Sequence, residues 1–528
     1  MFTLKSFSGF LTLTLFCATQ AIAQDPTPPQ PGDVVFQTDF DSPKQQAAWS
    51  NADFARWETG YQDSTSLCVT VSPDSDGGSA MIQMPLDLKR YQGCQLTFDC
   101  MAKAENVTKP KEAYLGVKFM LHYKSPSAGP RWQNPNDVHG TFDWKSLKFI
   151  ATVEADAQDG ELDLGLQGSS GKVWFDQIKV TVYKSTPPAR PAPPLHPQPV
   201  FKGHNLARLR GVMSPNTFSD EDIRVLGKEW NANVIRWQIT RNWGRPGTDR
   251  DLEEYDRWID SELDDLDKAL DAAQRYGLKV VIDMHSPPGG RYENNDVAIF
   301  YEPLYQDHFV DVWRKIARRY KGNPAVWGYD LVNEPVQNDP SPEGVADYLG
   351  TQVRAAKAIS EIDAEVPIFI EACEWDSAAG FKWLQPVDVP NVIYQVHMYV
   401  PGEFTHQGVH NKVTGIAYPG KIGDKQWDKE ALRAVLAPVR EFQQAYNVPI
   451  YVGEFSAIRW APGATEYLSD CIDLFEEYGW DWTYHAYREW DGWSVEHSSD
   501  PNDHQPTQEP TARKQLLLKW FAKNQKPK

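Results

Sequence analysis

Two carboxylic acids stand where apolar runs break off. Glu334 closes Gly328-Tyr329-Asp330-Leu331-Val332-Asn333-Glu334-Pro335, and Glu454 closes Ile450-Tyr451-Val452-Gly453-Glu454. Pro335 cannot continue a strand ladder and biases the residue before it towards an extended conformation, so a buried strand carrying Val332 is expected to end at Asn333 and Glu334. Carboxylates on two separate strand ends are the minimum equipment for cleaving a glycosidic bond: one protonates the leaving oxygen while the other attacks or activates water. An Asn-Glu-Pro triplet also arises by chance, so the weight falls on its company. Arg236 closes Asn233-Val234-Ile235-Arg236, His285 follows Val281-Ile282-Asp283-Met284, and His397 and Tyr399 lie in Gln395-Val396-His397-Met398-Tyr399. Nothing in the stability of a fold asks for carboxylates at both Glu334 and Glu454.

These residues need elements that bring them together. From Leu209 onward eight short apolar runs recur: Leu209–Val212, Asn233–Ile239, Lys279–Asp283, Ala325–Val332, Pro367–Glu371, Val392–Val396, Ile450–Gly453 and Asp481–Tyr487. Amphipathic stretches fit between most of them, at Leu252–Tyr276, Asp307–Tyr320, Val345–Ile362, Lys429–Tyr446 and Thr465–Tyr478. In the first, Leu252, Tyr255, Ile259, Leu263, Leu266, Leu270 and Ala273 recur at intervals of three and four, and Gly277 stands where a helix would stop. Alternating strand and helix predicts a (β/α)8 TIM barrel, whose strand ends converge on one pocket at the C-terminal rim. A doubly wound open sheet is the alternative, but no glycine-rich phosphate loop follows an early strand.

With this set of motifs the chain resembles glycoside hydrolase family 5, which comprises cellulases, mannanases and related enzymes. The resemblance spans nearly all of residues 200–525. It implies that Glu334 is the general acid/base and Glu454 the nucleophile, that Asn333 holds a sugar 2-hydroxyl, and that Tyr399 orients the nucleophile. Arg236, His285 and His397 would shape the subsite where cleavage occurs. The two carboxyl groups are then expected about 5 Å apart, the spacing of a retaining enzyme. One departure stands out. The family's eighth strand commonly ends Tyr-Trp-x-Trp, its Trp flooring the cleavage subsite, whereas here Trp482-Thr483-Tyr484-His485-Ala486-Tyr487-Arg488-Glu489-Trp490 puts His485 at that position. Either Trp490 reaches back as the floor or the subsite is built differently. Trp375 is expected to contact substrate, and Trp243, Trp383 and Trp460 are candidates for further sugar subsites.

The rest of the chain reads as accessory parts. Lys5, the apolar stretch Phe10–Ala18 and Ala21-Ile22-Ala23 form an expected signal peptide over residues 1–23, which implies secretion or export to a periplasm. Residues 33–184 alternate with period two, as at Leu96, Phe98 and Cys100 or Leu162, Leu164 and Leu166, which predicts an all-β sandwich. Within it, Gly165 to Asp176 resembles the closing hairpin of jelly-roll carbohydrate-binding modules. Trp49, Trp57, Tyr61, Trp132 and Trp144 are candidate sugar-stacking rings there, with core packing as the competing use. A proline-rich linker over 185–199 joins this domain to the barrel domain, residues 200–525.

The net charge of -19 argues against nucleic-acid and anionic-membrane partners. No apolar segment after the signal is long enough to span a membrane. Five cysteines remain once the signal is removed, without a CxxC pair, so no metal framework is visible. A disulfide within Cys68, Cys94 and Cys100 or buried free thiols both fit. The expectation is therefore a monomeric, exported, retaining hydrolase of β-linked polysaccharide, an endo-β-1,4-glucanase, needing no cofactor. A β-mannanase or another β-glycan hydrolase is the alternative. A transglycosylase and a non-catalytic carbohydrate-binding protein are the rivals, the latter disfavoured by the presence of both glutamates.

Overall fold

The computed structural model describes residues 29–527 except 74–78, 127, 186–190, 195–198, 215–216, 243–244, 339–340 and 410–411. The expected signal peptide 1–23, much of the linker and Trp243 therefore lie outside the described residues. No helix among the described residues is long and apolar enough to cross a membrane.

The N-terminal part is all-β. Strands β1 (Val34–Thr38), β2 (Ala55–Thr59), β3 (Thr65–Val71), β5 (Gln95–Val107), β8 (Gly140–Thr152) and β10 (Gly171–Lys184) form a six-stranded antiparallel sheet. A four-stranded sheet comprises β4 (Ala80–Leu86), β6 (Gly116–Ser125), β7 (Gly129–Gln133) and β9 (Gln158–Gln167). The alternating residues Leu96, Phe98, Phe119, Leu121, Leu164 and Val180 meet in one apolar cluster drawn from both sheets, where Phe98 and Phe119 pack edge to face at 6.1 Å.

One expectation changes here, and two open alternatives resolve. The turn after β9 does not close a hairpin, because β9 pairs with β4 and β6 while β10 pairs with β1, β3 and β5. A short Gly-Ser turn serves a crossing between sheets as well as a hairpin, and burial of both strands' apolar faces against one core selects the crossing. Trp49 is core, 4% exposed. Cys68, Cys94 and Cys100 are buried free thiols. Trp57 and Trp144, joined by Trp174, line a cleft of about 760 Å3 beside the six-stranded sheet.

The C-terminal part is a closed parallel barrel. Its strands are β11 (Arg210–Ser214), β12 (Val234–Gln238), β13 (Lys279–Asp283), β14 (Val326–Asp330), β15 (Ile368–Glu371), β16 (Val392–Met398), β19 (Ile450–Phe455) and β20 (Asp481–Tyr484), with a small hairpin of β17 (Gly420–Ile422) and β18 (Lys425–Trp427) between the sixth and seventh. β20 pairs back onto β11 and closes the ring. The first long helix, Leu252–Tyr276, is capped by Asp251, whose side chain accepts from the Glu253 and Glu254 amides, and it buries Tyr255, Ile259, Leu263, Leu266 and Leu270 against the barrel. Asp347 and Asp428 cap later helices in the same way.

The fourth strand ends earlier than expected. β14 stops at Asp330, and Glu334 is left-handed with φ 49° rather than extended. Local bias before proline is outweighed by hydrogen bonds from Arg291 to the Asn333 and Glu334 carbonyls and from the Glu334 N–H to Glu371.

Candidate active site

A cleft of about 630 Å3 opens at the C-terminal rim, lined among others by His285, Glu334, Trp375, His397, Tyr399, Glu454 and His485. Strand register explains the convergence. Asp283 pairs with Asp330, Glu371 with Gln395, and His397 with Glu454, so polar side chains from successive strands arrive in layers. Gly453 leaves the room this needs: a Cβ there would lie 2.6 Å from the Gln395 amide carbon.

Arg236 is the hub. Fully buried, it reaches Glu454 at 2.6 Å, Asp330 at 2.8 Å, Asp283 at 3.2 Å and Glu371 at 3.3 Å. It also donates to Asn333 Oδ1 at 2.9 Å. Glu454 Oε1 takes Arg236 Nη1, and Glu454 Oε2 takes the Tyr399 hydroxyl at 2.8 Å. His397 Nδ1 is 2.9 Å from Glu334 Oε1 and 3.9 Å from Glu454 Oε2. Oxygen atoms of Glu334 and Glu454 come within 4.8 Å of one another. The Glu334 side chain is 21% exposed and that of Glu454 only 6%, so a ligand in the cleft meets Glu334 at the surface and Glu454 beneath it.

Electrostatics separates the buried carboxyls. Burial by itself would raise Glu454, but His397, His485, Arg236 and His285 together pull it far below the usual carboxylate range, which keeps it ionised. At Asp330 and Glu371 burial outweighs Arg236, and both are raised, as is Asp376. One guanidinium thus contacts four carboxyls, and among them the surroundings lower Glu454, which faces the cleft, while raising Asp330 and Glu371. Replacing it with Arg236→Met leaves these carboxyls without their cation. The variant is expected to lose about 3–5 kcal/mol of barrel stability, measured by urea unfolding followed through Trp fluorescence.

The other expected residues are also placed. Asn333 Nδ2 is 3.2 Å from His285 Nε2, and His285 Nδ1 is 2.9 Å from Asp283. Trp375, 43% exposed, stands on the rim with the Arg291 guanidinium 5.0 Å from its ring centroid. His485 Nδ1 meets the Tyr399 hydroxyl at 2.8 Å, and its Nε2 lies 3.3 Å from Glu489, which in turn accepts from Gln238 at 2.7 Å.

Trp490 does not reach back into the cleft. It is 41% exposed and packs edge-on against Trp460, while Trp493 lines the cleft with its ring 5.5 Å from His485 and 6.3 Å from Tyr399. The loop after β20 doubles back, so the ring three positions further on enters the site. Trp383 is buried outside the cleft, and Trp460 donates its indole N–H to the Gln407 carbonyl in the wall. Sequence reasoning also missed Gln238, Arg291, Glu371, Asp376, Gln395, His406 and Glu489.

The surroundings raise His485 to about 9: burial works against this, but Glu489 and Glu454 prevail. The stability this charge confers is complete below the ordinary histidine value of about 6.5 and is lost as pH rises through about 9. The melting temperature of the wild type is expected to fall across that window. His485→Gln, which keeps a hydrogen bond but cannot titrate, should show a smaller fall.

A parallel barrel with two carboxyls this close at its rim, one held ionised, defines a glycoside hydrolase. The family model for cellulase (glycosyl hydrolase family 5) matches residues 197–491, and the chain belongs to that family. Endoglucanase C of Acetivibrio thermocellus is 30% identical over 241 residues, covering 40% of this chain and 69% of that protein. Cellodextrinase A of Ruminococcus flavefaciens is 25% identical over 273 residues, covering 49% of this chain and 76% of its own. A solved mutant form of Thermotoga maritima Cel5A in complex with cellobiose substrate is 23% identical, with a TM-score of 0.46, and covers 59% of this chain and 97% of that one.

Proposed function

We propose that this hydrolase is a retaining endo-β-1,4-glucanase in which Glu454 is the nucleophile and Glu334 the acid/base. The observation that carries the mechanism is that oxygens of the two carboxyls lie within 4.8 Å of one another, which suits direct attack and falls short of the separation, roughly 6.5–9.5 Å, at which an inverting enzyme seats a water beside the anomeric carbon. In the first step a Glu454 oxygen bonds to the anomeric carbon, the glycosidic C–O bond breaks, and Glu334 gives its proton to the leaving oxygen. In the second, water gives a proton to Glu334 while its oxygen takes the anomeric carbon from Glu454, restoring both carboxyls and the original configuration. Tyr399 and Arg236 hold Glu454 through both steps, Asn333 serves the sugar 2-hydroxyl, and Trp375 and Trp493 offer stacking faces.

The glucan assignment is supported by the relatives named endoglucanase and cellodextrinase. Its test is reducing-sugar release from carboxymethylcellulose, mixed-linkage glucan, mannan and xylan. The fastest release should come from the first two, with the β-anomer as the first product by NMR. Preference for mannan would replace the substrate, and a first product of inverted configuration would replace the mechanism.

The same reading takes residues 33–184 as a jelly-roll sandwich of carbohydrate-binding type, tethered through 185–199 to a catalytic domain over 200–525, in an exported monomer released from a signal peptide over 1–23. The cleft lined by Trp57, Trp144 and Trp174 is its candidate glycan platform. Trp144→Ala in the full chain is expected to weaken retention on insoluble cellulose and to leave turnover of short soluble oligosaccharides unchanged.

A further inference from the structure

We propose that Glu371 is a positioning residue, holding the backbone of Glu334 in the one conformation that aims its carboxyl at the leaving oxygen without touching substrate itself. The inference rests on Glu334 acting as the acid/base.

Glu334 has φ 49°, a region a side chain of its type rarely adopts, and such a conformation persists only where its surroundings over-determine it. Its N–H donates to Glu371 Oε2 at 2.6 Å, and its carbonyl accepts from Arg291 Nη2 at 2.9 Å. The other Glu371 oxygen accepts from Arg236 Nη2 at 3.3 Å and from the Gln395 amide. Because Arg236 Nη1 also holds Glu454 at 2.6 Å, a continuous chain of hydrogen bonds runs from the Glu334 N–H through Glu371 and Arg236 to Glu454.

Glu371 is suited to be the fixed point of that chain. It ends β15 and is wholly buried, and it does not line the cleft. The buried Gln352 grips its main chain on both sides, accepting from the Glu371 N–H at 2.9 Å and donating to its carbonyl at 3.0 Å. Both carboxyl oxygens are used as acceptors, facing three donors. A glutamine there would turn an N–H2 towards a donor and lose one arm of the grip, whereas alanine would lose both.

The test compares two substrates in the full-length enzyme. Cleavage of cellotetraose expels a sugar alkoxide that must be protonated, whereas 2,4-dinitrophenyl β-cellobioside expels dinitrophenolate, which needs no proton. If Glu371 aims the acid, Glu371→Ala should lose about 100-fold in kcat on cellotetraose, the scale expected of a misplacement near 1 Å. On the aryl glycoside the loss in glycosyl-enzyme formation, read from the burst of dinitrophenolate, should be at least ~10-fold smaller. Glu371→Gln, which preserves volume and guards against a folding failure, should show the same split at smaller size, with KM little changed. Equal proportional losses on both substrates, or no loss, would overturn the positioning role. Glu334→Ala run in parallel separates the two readings. If it shows the split and the Glu371 variants do not, only the Glu371 role falls. If Glu334→Ala itself shows no split, the acid/base assignment fails and the role of Glu371 with it.

Discussion

Glu454→Ala should lower kcat on cello-oligosaccharides by about 10^6-fold, the order expected when a covalent nucleophile is removed from a hydrolase. The size follows from what Glu454 has that the other buried acids lack. It faces the cleft and accepts from both Arg236 and Tyr399, and four cationic or protonatable neighbours keep it ionised against its burial. Asp330 and Glu371 share the same guanidinium, yet burial raises both. Removing the side chain leaves a cavity of carboxylate size under the anomeric carbon. Added azide should fill it, attack that carbon and give the glycosyl azide of inverted configuration, Glu334 still protonating the departing sugar. A variant that retained wild-type turnover would remove Glu454 from the covalent step.

Glu334→Ala should behave differently, and the difference identifies the proton donor. On cello-oligosaccharides the loss is expected at 10^2- to 10^4-fold, the usual worth of a positioned general acid. On 2,4-dinitrophenyl β-cellobioside, formation of the glycosyl-enzyme should remain fast, because dinitrophenolate needs no proton. Its later hydrolysis should slow, since Glu334 also deprotonates the attacking water, so a burst of dinitrophenolate followed by slow turnover is the expected trace. The position of Glu334 is consistent with both duties: it is the more exposed carboxyl of the pair, and it carries His397 at 2.9 Å. Equal losses on the two substrates with no burst would reassign the proton transfer.

Much of this site was legible because its signals are local. An apolar run ending in a carboxylate marks a strand end whether or not the rest of the chain is known, and helical spacing closed by a glycine, as at Leu252–Tyr276 with Gly277, marks an element between. Glu334, Glu454, Arg236, His285, Asn333, His397 and Tyr399 could therefore be picked out as strand-end polar residues, and His485 by comparison with the family's eighth strand. Trp375 was also found, by its place after the fifth run.

What escaped depended on contacts between distant segments. Asp283, Asp330, Glu371 and Gln395 lay inside runs already read as strands, but a charged residue in a strand says nothing about whether it points to solvent, to a helix or to a shared cation. Register decided it, by setting Asp283 beside Asp330 and Glu371 beside Gln395 around Arg236. The choice of Trp493 over Trp490 followed from the course of a loop with no period to read. The left-handed Glu334 went against its own proline neighbour, because a buried carboxylate 37 positions away and a buried arginine bind its N–H and carbonyl more strongly than local sterics favour an extended chain. The sequence by itself determined which strands form, where they end to within a few residues, and which two acids the proposed chemistry calls on. The tertiary structure alone decided how far apart those acids stand, that Glu454 is lowered where Asp330 and Glu371 are raised, and what holds Glu334 in place, since each of these is set by groups that meet only when the barrel closes.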